Sequence, residues 1–444
     1  MEFFDLILNG KVVLENKIIQ GEIGVKDGMI IYISPDKSDN QSKVRMKYDD
    51  CYIFPGLIDP HVHSLSNPNE GIKKTTRLAA DGGFTTIFDM PFDYNSPITN
   101  KRALKEKIKV IEKEAFVDVG LWGTITKYGG YSQIKDLANL GVIGIKMSTF
   151  ETDESRFPRI PDSGIVRAFR EIKEIDLIAA FHAENDEIVK DLINEFKKGD
   201  KKYLGAHGET RPPYTETADI LKLMEFAYWT DAKIHFVHVS HPRSIDLINY
   251  FKRQGLKVTA ETCYQYLLLS DDDLKTKGPN AKVNPPLRDR RSRELMWDKL
   301  YKGEIDFITT DHAIWDVKNK EKGYKDIFTA PSGMPGLSIV ASLVFSEGVL
   351  KSKISPIDYG KLMSTNIADV FGIKQKGRIK KGNDADFTII DPNIEWVIQD
   401  ELSPFNGKEV RGQVKKTILR GDVIYSNKKK IDNQNSGKYV TKNN

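Results

Sequence analysis

Along the first fifty or so residues, short apolar runs alternate with polar turn residues, as in FFDLILNG, KVVLENK and GEIGVKDGMIIYIS. Such alternation marks half-buried strands, and Asn-Gly or Asp-Gly pairs between them favour tight reversals. Asn9-Gly10 and Asp27-Gly28 are therefore expected to turn the chain between strands of a small sheet. A similar texture returns in ADFTIIDPN, EWVIQD and GQVKKTILRGDVIYSN. The two ends are expected to pair into one small β-sandwich domain, built from residues 1–53 and 373–427.

From residue 54 to residue 372 the pattern changes. Apolar runs of high β propensity, FTTIFDM, VDVGLWGT, GVIGIKM, DLIAAFH, AKIHFVHV, GLKVTAE and IDFITTD, are followed by longer stretches, several with helical period, such as GIVRAFREIK and DILKLMEFAYW. Repeated strand-then-helix units of this kind predict an α/β fold, a closed (β/α)8 barrel of the TIM type. The competing open, doubly wound sheet lacks the expected GxGxxG at its first strand-to-helix turn. Residues 428–444 are polar and carry neither period, which predicts a frayed tail.

Charge and composition narrow the functional classes. Lys plus Arg number 67 against 63 Asp plus Glu, for a formal net charge of +4, so no nucleic-acid partner is expected. The lysines of KRALKEKIKVIEKE are interleaved with glutamates and read as a solvated helix face. No stretch approaches the roughly 18 apolar residues of a membrane span, and the first residues lack a basic flank, so no membrane partner and a soluble, cytoplasmic protein are expected. Cys51 and Cys263 lie far apart, which argues against a disulfide framework or a cysteine zinc site. The glycine-rich stretches lack phosphate-cradling spacing, and no nucleotide cofactor is expected.

Candidate chemistry sits where the apolar runs stop. His61 and His63, in GLIDPHVHS, are two apart on a strand and point the same way, so both imidazoles can reach one metal ion. Lys146 ends GVIGIK, His182 ends DLIAAFH, His238 follows AKIHFV, and Asp311 with His312 ends IDFITT. In a barrel these ends converge on one face. A lone lysine or aspartate in such a dry site would cost several kcal/mol, and a metal cluster supplies the opposite charge. His235 falls on the opposite face from His238 and is expected to pack or hydrogen-bond, whereas His207 and His241 are expected in exposed loops. Gly82, Gly83 and Gly141 suit tight turns, and Gly333 to Gly336 could let backbone approach a ligand.

FPGLIDPHVH, GVIGIK, FHAEN, FVHVS, AETCYQYL, KVNPPLRDR and TTDHA resemble, in order, the motifs of the cyclic amidohydrolases, the group of dihydroorotases, hydantoinases and allantoinases. The resemblance covers nearly the entire chain. It implies a pair of divalent metal ions, expected to be zinc, that share an activated water. His61 and His63 with Asp311 would hold one ion and His182 with His238 the other, while Lys146, carboxylated by carbon dioxide, would bridge them. It further implies that Asp311 is the catalytic proton carrier, that Asn284, Gly333 and Gly336 bind the ring, with His312 as a further candidate, and that the protein forms a homo-oligomer, a dimer or tetramer.

The small-molecule substrate is expected to be a cyclic amide or ureide. An arginine shortly after HxH, as in dihydroorotases, is missing from HVHSLSNPNE, and KMSTFETDESRFP lacks the tyrosine of hydantoinases and dihydropyrimidinases. VDVGLWGT, FPRIPD, ETRPPYTE, RELMWDKLYKGEIDF and TILRGDVIY resemble allantoinases instead, which implies ring opening of allantoin to allantoate. A hydantoinase, a dihydropyrimidinase, an atypical dihydroorotase or a non-catalytic barrel are the alternatives. Departures fall in ETCYQY, where Tyr264 and Gln265 replace the relatives' proline and histidine, and in MPFDYNSP. Both stretches are expected near the substrate.

Overall fold

The computed structural model describes residues 3–36, 38–427, 431 and 436–442. Strands β1 (Phe3–Val13), β2 (Ile18–Lys26), β3 (Met29–Ser34) and β4 (Gln41–Pro55) come from the N-terminal segment. Strands β5 (Leu57–Val62), β6 (Phe84–Asp89), β7 (Asp118–Gly123), β8 (Gly144–Ser148), β9 (Ile178–His182), β10 (Lys233–Phe236), β11 (Val258–Cys263) and β12 (Phe307–Thr309) follow. The C-terminal segment adds β13 (Phe387–Val397), β14 (Glu409–Leu419) and β15 (Asp422–Ser426).

Strands β5 to β12 form an eight-stranded parallel sheet in sequence order. A parallel bridge between Val62 and His312 brings its two edges together, with the His63 N–H donating to the His312 carbonyl at 2.9 Å. This is the expected (β/α)8 barrel. Strand alternation decides what each face meets. Ile145, Met147, Ala179 and Phe181 pack outward in the core shared with the helices, while Ile58, Phe88, Trp122, Ala180 and Phe307 belong to a separate inner cluster. Phe371 plugs that inner layer, 5.3 Å from the Phe88 ring and 5.4 Å from the Trp122 ring.

The terminal segments join in one seven-stranded sheet, order β15-β14-β13-β4-β1-β2-β3, the N/C-terminal β-sandwich. Asp27 and Gly28, both at positive φ, make the expected turn between β2 and β3. Asn9-Gly10 does not turn. Both residues lie inside β1, which β2 and β4 pair on either side, so the ladder overrides the local turn preference. Gly10 is needed there for room, because a Cβ would sit 2.8 Å from the Tyr48 carbonyl oxygen.

Two further expectations are corrected. The helix Lys101–Glu114 is solvated along part of its surface, but Lys107 is buried, its ammonium 2.8 Å from Asp89 and 2.7 Å from Asp93. The tail is not frayed at residues 436–442. The Val440 N–H donates to the Val119 carbonyl at 3.0 Å, the Val119 N–H donates to the Lys438 carbonyl, and the Val440 side chain joins the inner cluster. A segment without side-chain periodicity is held here by backbone pairing against β7. Among the described residues, no helix is long and apolar enough to cross a membrane.

Candidate metal centre and active site

The C-terminal ends of the barrel strands carry His61, Lys146, His182 and Asp311 on or just after β5, β8, β9 and β12, and His238 just after β10. The structure brings all of them, with His63, around one pocket, where Ser66, Thr152, Arg156, Phe157, Asn284, Ala313, Trp315, Ser332 and Gly333 form the remaining wall. His61 Nε2 lies 3.1 Å and His63 Nε2 3.3 Å from the same Asp311 oxygen. His182 Nδ1 is 2.8 Å from His238 Nε2, and the His61 and His238 rings are 5.4 Å apart. His238 and Asp311 both take left-handed backbone conformations, φ 41° and 50°, which side-chain-bearing residues rarely adopt away from functional or tightly constrained positions.

Burial and neighbouring charge set the protonation. Burial alone would push the Asp311 carboxyl up, but the adjacent imidazoles of His61 and His63 hold it well below the usual range, so it is ionised. Burial pulls His61 down, yet Asp311 and Glu261 together raise it to about 9. For His63, His182 and His238 burial wins and keeps the rings neutral, the form that binds metal. Burial also lowers the Lys146 amine to about 8, against the pull of Asp311 and Glu261. Lys146 is 1% exposed, and among the described residues no carboxylate comes within ion-pair distance of it.

This donor set fits a pair of divalent cations. The ligand atoms of His61, His63 and Asp311 lie within 4.8 Å of one another, and the buried His238 Nδ1 has no hydrogen-bond partner among the described residues. A second acidic group, Asp118, Asp384 and Asp386, also has ligand spacing, but it surrounds the Lys376 ammonium at 2.7, 2.8 and 2.7 Å and so already has its cation.

Sequence reasoning missed the buried acids behind the imidazoles. Glu261, on β11, places one oxygen 2.5 Å from His61 Nδ1 and the other 3.2 Å from His235 Nε2. Glu184 lies 3.0 Å from His182 Nε2 and is clamped by Arg211 at 2.5 Å. Such partners fix the tautomer and orientation of metal-binding histidines. The partial signal was the glutamate inside the quoted AETCYQYL and FHAEN motifs.

Other candidates move to different places. His312 does not line the pocket. Its Nε2 faces Glu70 at 2.8 Å, and its Nδ1 accepts the Gly336 N–H at 3.0 Å, so Gly336 has no free N–H to offer a ring. Gly333 does line the pocket, with its N–H donated to the Lys282 carbonyl and its own carbonyl bonded by Lys320. Asn284 has a buried Oδ1 without a hydrogen-bond partner among the described residues. His235 hydrogen-bonds Thr259 and Glu261 and stacks on Phe307. His207 is buried instead of exposed, donating to the Val283 carbonyl at 2.8 Å behind the pocket wall. His241 is half-buried and caps the helix Pro242–Arg253. Tyr264 and Gln265 are fully buried and are not among the pocket-lining side chains, the Tyr264 hydroxyl donating to the Pro335 carbonyl.

Four imidazoles, an ionised acid and a buried amine gathered at the strand ends of a (β/α)8 barrel define a metal-dependent hydrolase. Residues 52–424 match the Amidohydrolase family, and the chain belongs to it. It is similar to the allantoinase of Escherichia coli, 32% identical over 455 residues that cover 99% of each chain. Among solved structures, it is similar to an L-hydantoinase (dihydropyrimidinase) from Arthrobacter aurescens, with a TM-score of 0.95 and 29% identity over 99% of this chain and 100% of that one. A dihydropyrimidinase from Brevibacillus agri has a TM-score of 0.90 and 26% identity over 98% of each. The protein is thus a cyclic-amide-hydrolysing enzyme of the amidohydrolase superfamily.

Proposed function

We propose that this enzyme opens the five-membered hydantoin ring of allantoin to give allantoate. The observation that carries the reaction class is the convergence of His61, His63, Lys146, His182, His238 and Asp311 on one pocket. The choice of allantoin is supported by 32% identity to an allantoinase over an alignment that covers 99% of both chains. A hydantoinase or dihydropyrimidinase reading is the rival, favoured by the backbone likeness to the Arthrobacter enzyme.

In this reading His61 and His63 would hold one zinc ion with Asp311, and His182 and His238 would hold the second. Lys146 would complete the set as a carbamate: its free-base amine, favoured by a value lowered to about 8, would add to carbon dioxide with release of one proton. Bound there, the ions supply an activated water and polarise the ring carbonyl.

The chain's own groups do the rest. Asp311 is ionised and so accepts a proton from the attacking water, then delivers it to the departing ring nitrogen, without which an amide nitrogen leaves poorly. Asn284, through an amide oxygen that has no hydrogen-bond partner among the described residues, accepts from a ring N–H. Gly333 contributes the shape of the wall, since a Cβ there would lie 2.9 Å from Ala313 Cβ. Assembly as a dimer or tetramer belongs to the same reading.

Turnover of allantoin, hydantoin, dihydrouracil and dihydroorotate by zinc-loaded enzyme, measured side by side, tests the substrate. Allantoin is expected to give the highest kcat/KM. Preference for hydantoin or dihydrouracil with allantoin inert would transfer the assignment to the rival.

A further inference from the structure

Arg156 lines the pocket from the loop after β8, and the chemistry above leaves it without a task. Its Nη1 donates to the Ser66 carbonyl at 3.2 Å and the Phe92 carbonyl at 3.4 Å, so it ties together the loops that follow β5, β6 and β8. The neighbouring Phe157 ring stacks on Phe92, centroids 3.6 Å apart and planes 18° from parallel. Asp153 fixes the same loop by accepting the backbone N–H groups of Ser155 and Arg156 at 3.0 and 2.9 Å. The side chain is therefore held in place before any substrate arrives.

A guanidinium carries five N–H donors in a planar fork. Both carbonyls engage Nη1, and among the described residues neither Nε nor Nη2 has a hydrogen bond or an ion-pair partner. The free edge belongs to a side chain that lines the pocket. Its charge is offset in part by a nearby buried acid. Asp89 and Asp93 share the single Lys107 ammonium, leaving this corner with one acidic charge in excess, and Asp93 feels the charge of Arg156. A corner balanced in this way suits a neutral carbonyl acceptor better than a carboxylate.

Building on the proposed ring-opening reaction, we infer that Arg156 is the specificity residue for the ring's substituent. Its free edge donates to the carbonyl oxygen of a ureido or amide arm, while the reacting ring amide lies at the imidazoles. Phe157, stacked on Phe92, gives that arm a flat wall. An unsubstituted ring makes no such contact.

The test compares wild type with Arg156→Leu and Arg156→Lys, all zinc-loaded, on allantoin, unsubstituted hydantoin and hydantoin-5-acetic acid, with kcat and KM resolved. For Arg156→Leu, kcat/KM on allantoin is expected to fall about tenfold to a hundredfold, the range of a hydrogen bond from a charged donor. The loss falls mainly on KM, hydantoin turnover falls clearly less because it loses only the bracing of the loops, and Arg156→Lys recovers part of the loss on allantoin. An equal loss on hydantoin would show that Arg156 only braces the loops, and unchanged kinetics on allantoin would remove it from the site; either overturns the inference. A larger loss on hydantoin-5-acetic acid than on allantoin overturns the neutral-carbonyl assignment. Should wild type open hydantoin but not allantoin, the allantoin reading fails by itself. The ratio of hydantoin-5-acetamide to hydantoin in the same variants then decides the role of Arg156.

Discussion

Two clusters among the described residues have the spacing of metal ligands, and they are compensated in opposite ways. Asp118, Asp384 and Asp386 close around Lys376, with Arg420 adding a second cation 2.6 Å from Asp118. His61, His63 and Asp311 face a pocket whose buried lysine forms no ion pair among the described residues, and whose His238 leaves a ring nitrogen without a partner. The first cluster draws its cations from its own chain and is an internal salt-bridge knot between β7 and the C-terminal segment. The second is incomplete by itself, which is what a site for an external cation requires. Ligand spacing alone does not distinguish them; the source of the compensating charge does.

The comparison breaks most visibly at Asp311. Asp311→Asn should lower kcat by about 10²- to 10⁴-fold, the usual share of general acid–base catalysis, with metal content by atomic emission close to wild type. A variant that keeps near-normal kcat would remove Asp311 from proton transfer. At the other cluster the effect should be on stability instead. Lys376→Met leaves buried carboxylates without their ammonium and should cost about 3–5 kcal/mol in urea unfolding, with the kcat of the folded, zinc-loaded enzyme unchanged. Lost metal in this variant, at full folding, would contradict the division of labour.

Glu261→Gln sharpens the contrast within the metal cluster. Metal affinity should weaken about 10- to 100-fold, because His61 loses the carboxylate that orients it, and excess zinc should restore turnover. Failure of zinc to restore it would give Glu261 a role in the chemistry. The smallest effect is in pH. Burial raises Glu184, but Arg211, His182 and Arg288 hold it below its ordinary 4.5 in the folded protein. A depressed folded value gives stability that is fully present above pH 4.5 and lost as pH falls below it. The urea midpoint should decline on acidification through that range, and a flat midpoint would contradict the pairing.

Much of this was legible along the chain, and the reasons differ by element. The barrel strands announced themselves because each is buried on both faces and reads as a short apolar run, so the polar residue that ends it stands out. His61, Lys146, His182 and Asp311 were visible for that reason. Glu261 was not, because its partner His61 lies 200 residues away and only closure of the barrel makes them neighbours. Lys107 shared its helix pattern with exposed lysines, and nothing local distinguished the one that turns toward Asp89 and Asp93. Asn9-Gly10 carried a strong turn preference that two flanking strands overrode. The segment around Val440 docks through backbone bonds, which leave no side-chain period to read.

The central claim is that the pocket holds a pair of metal ions on these side chains and uses them. Metal content and allantoin turnover, measured on the same sample before chelation, after it, and after return of zinc with bicarbonate, test it directly. About two ions per chain, loss of turnover with their removal and its recovery on return are expected. Chelated protein that contains no metal and keeps full turnover would contradict it.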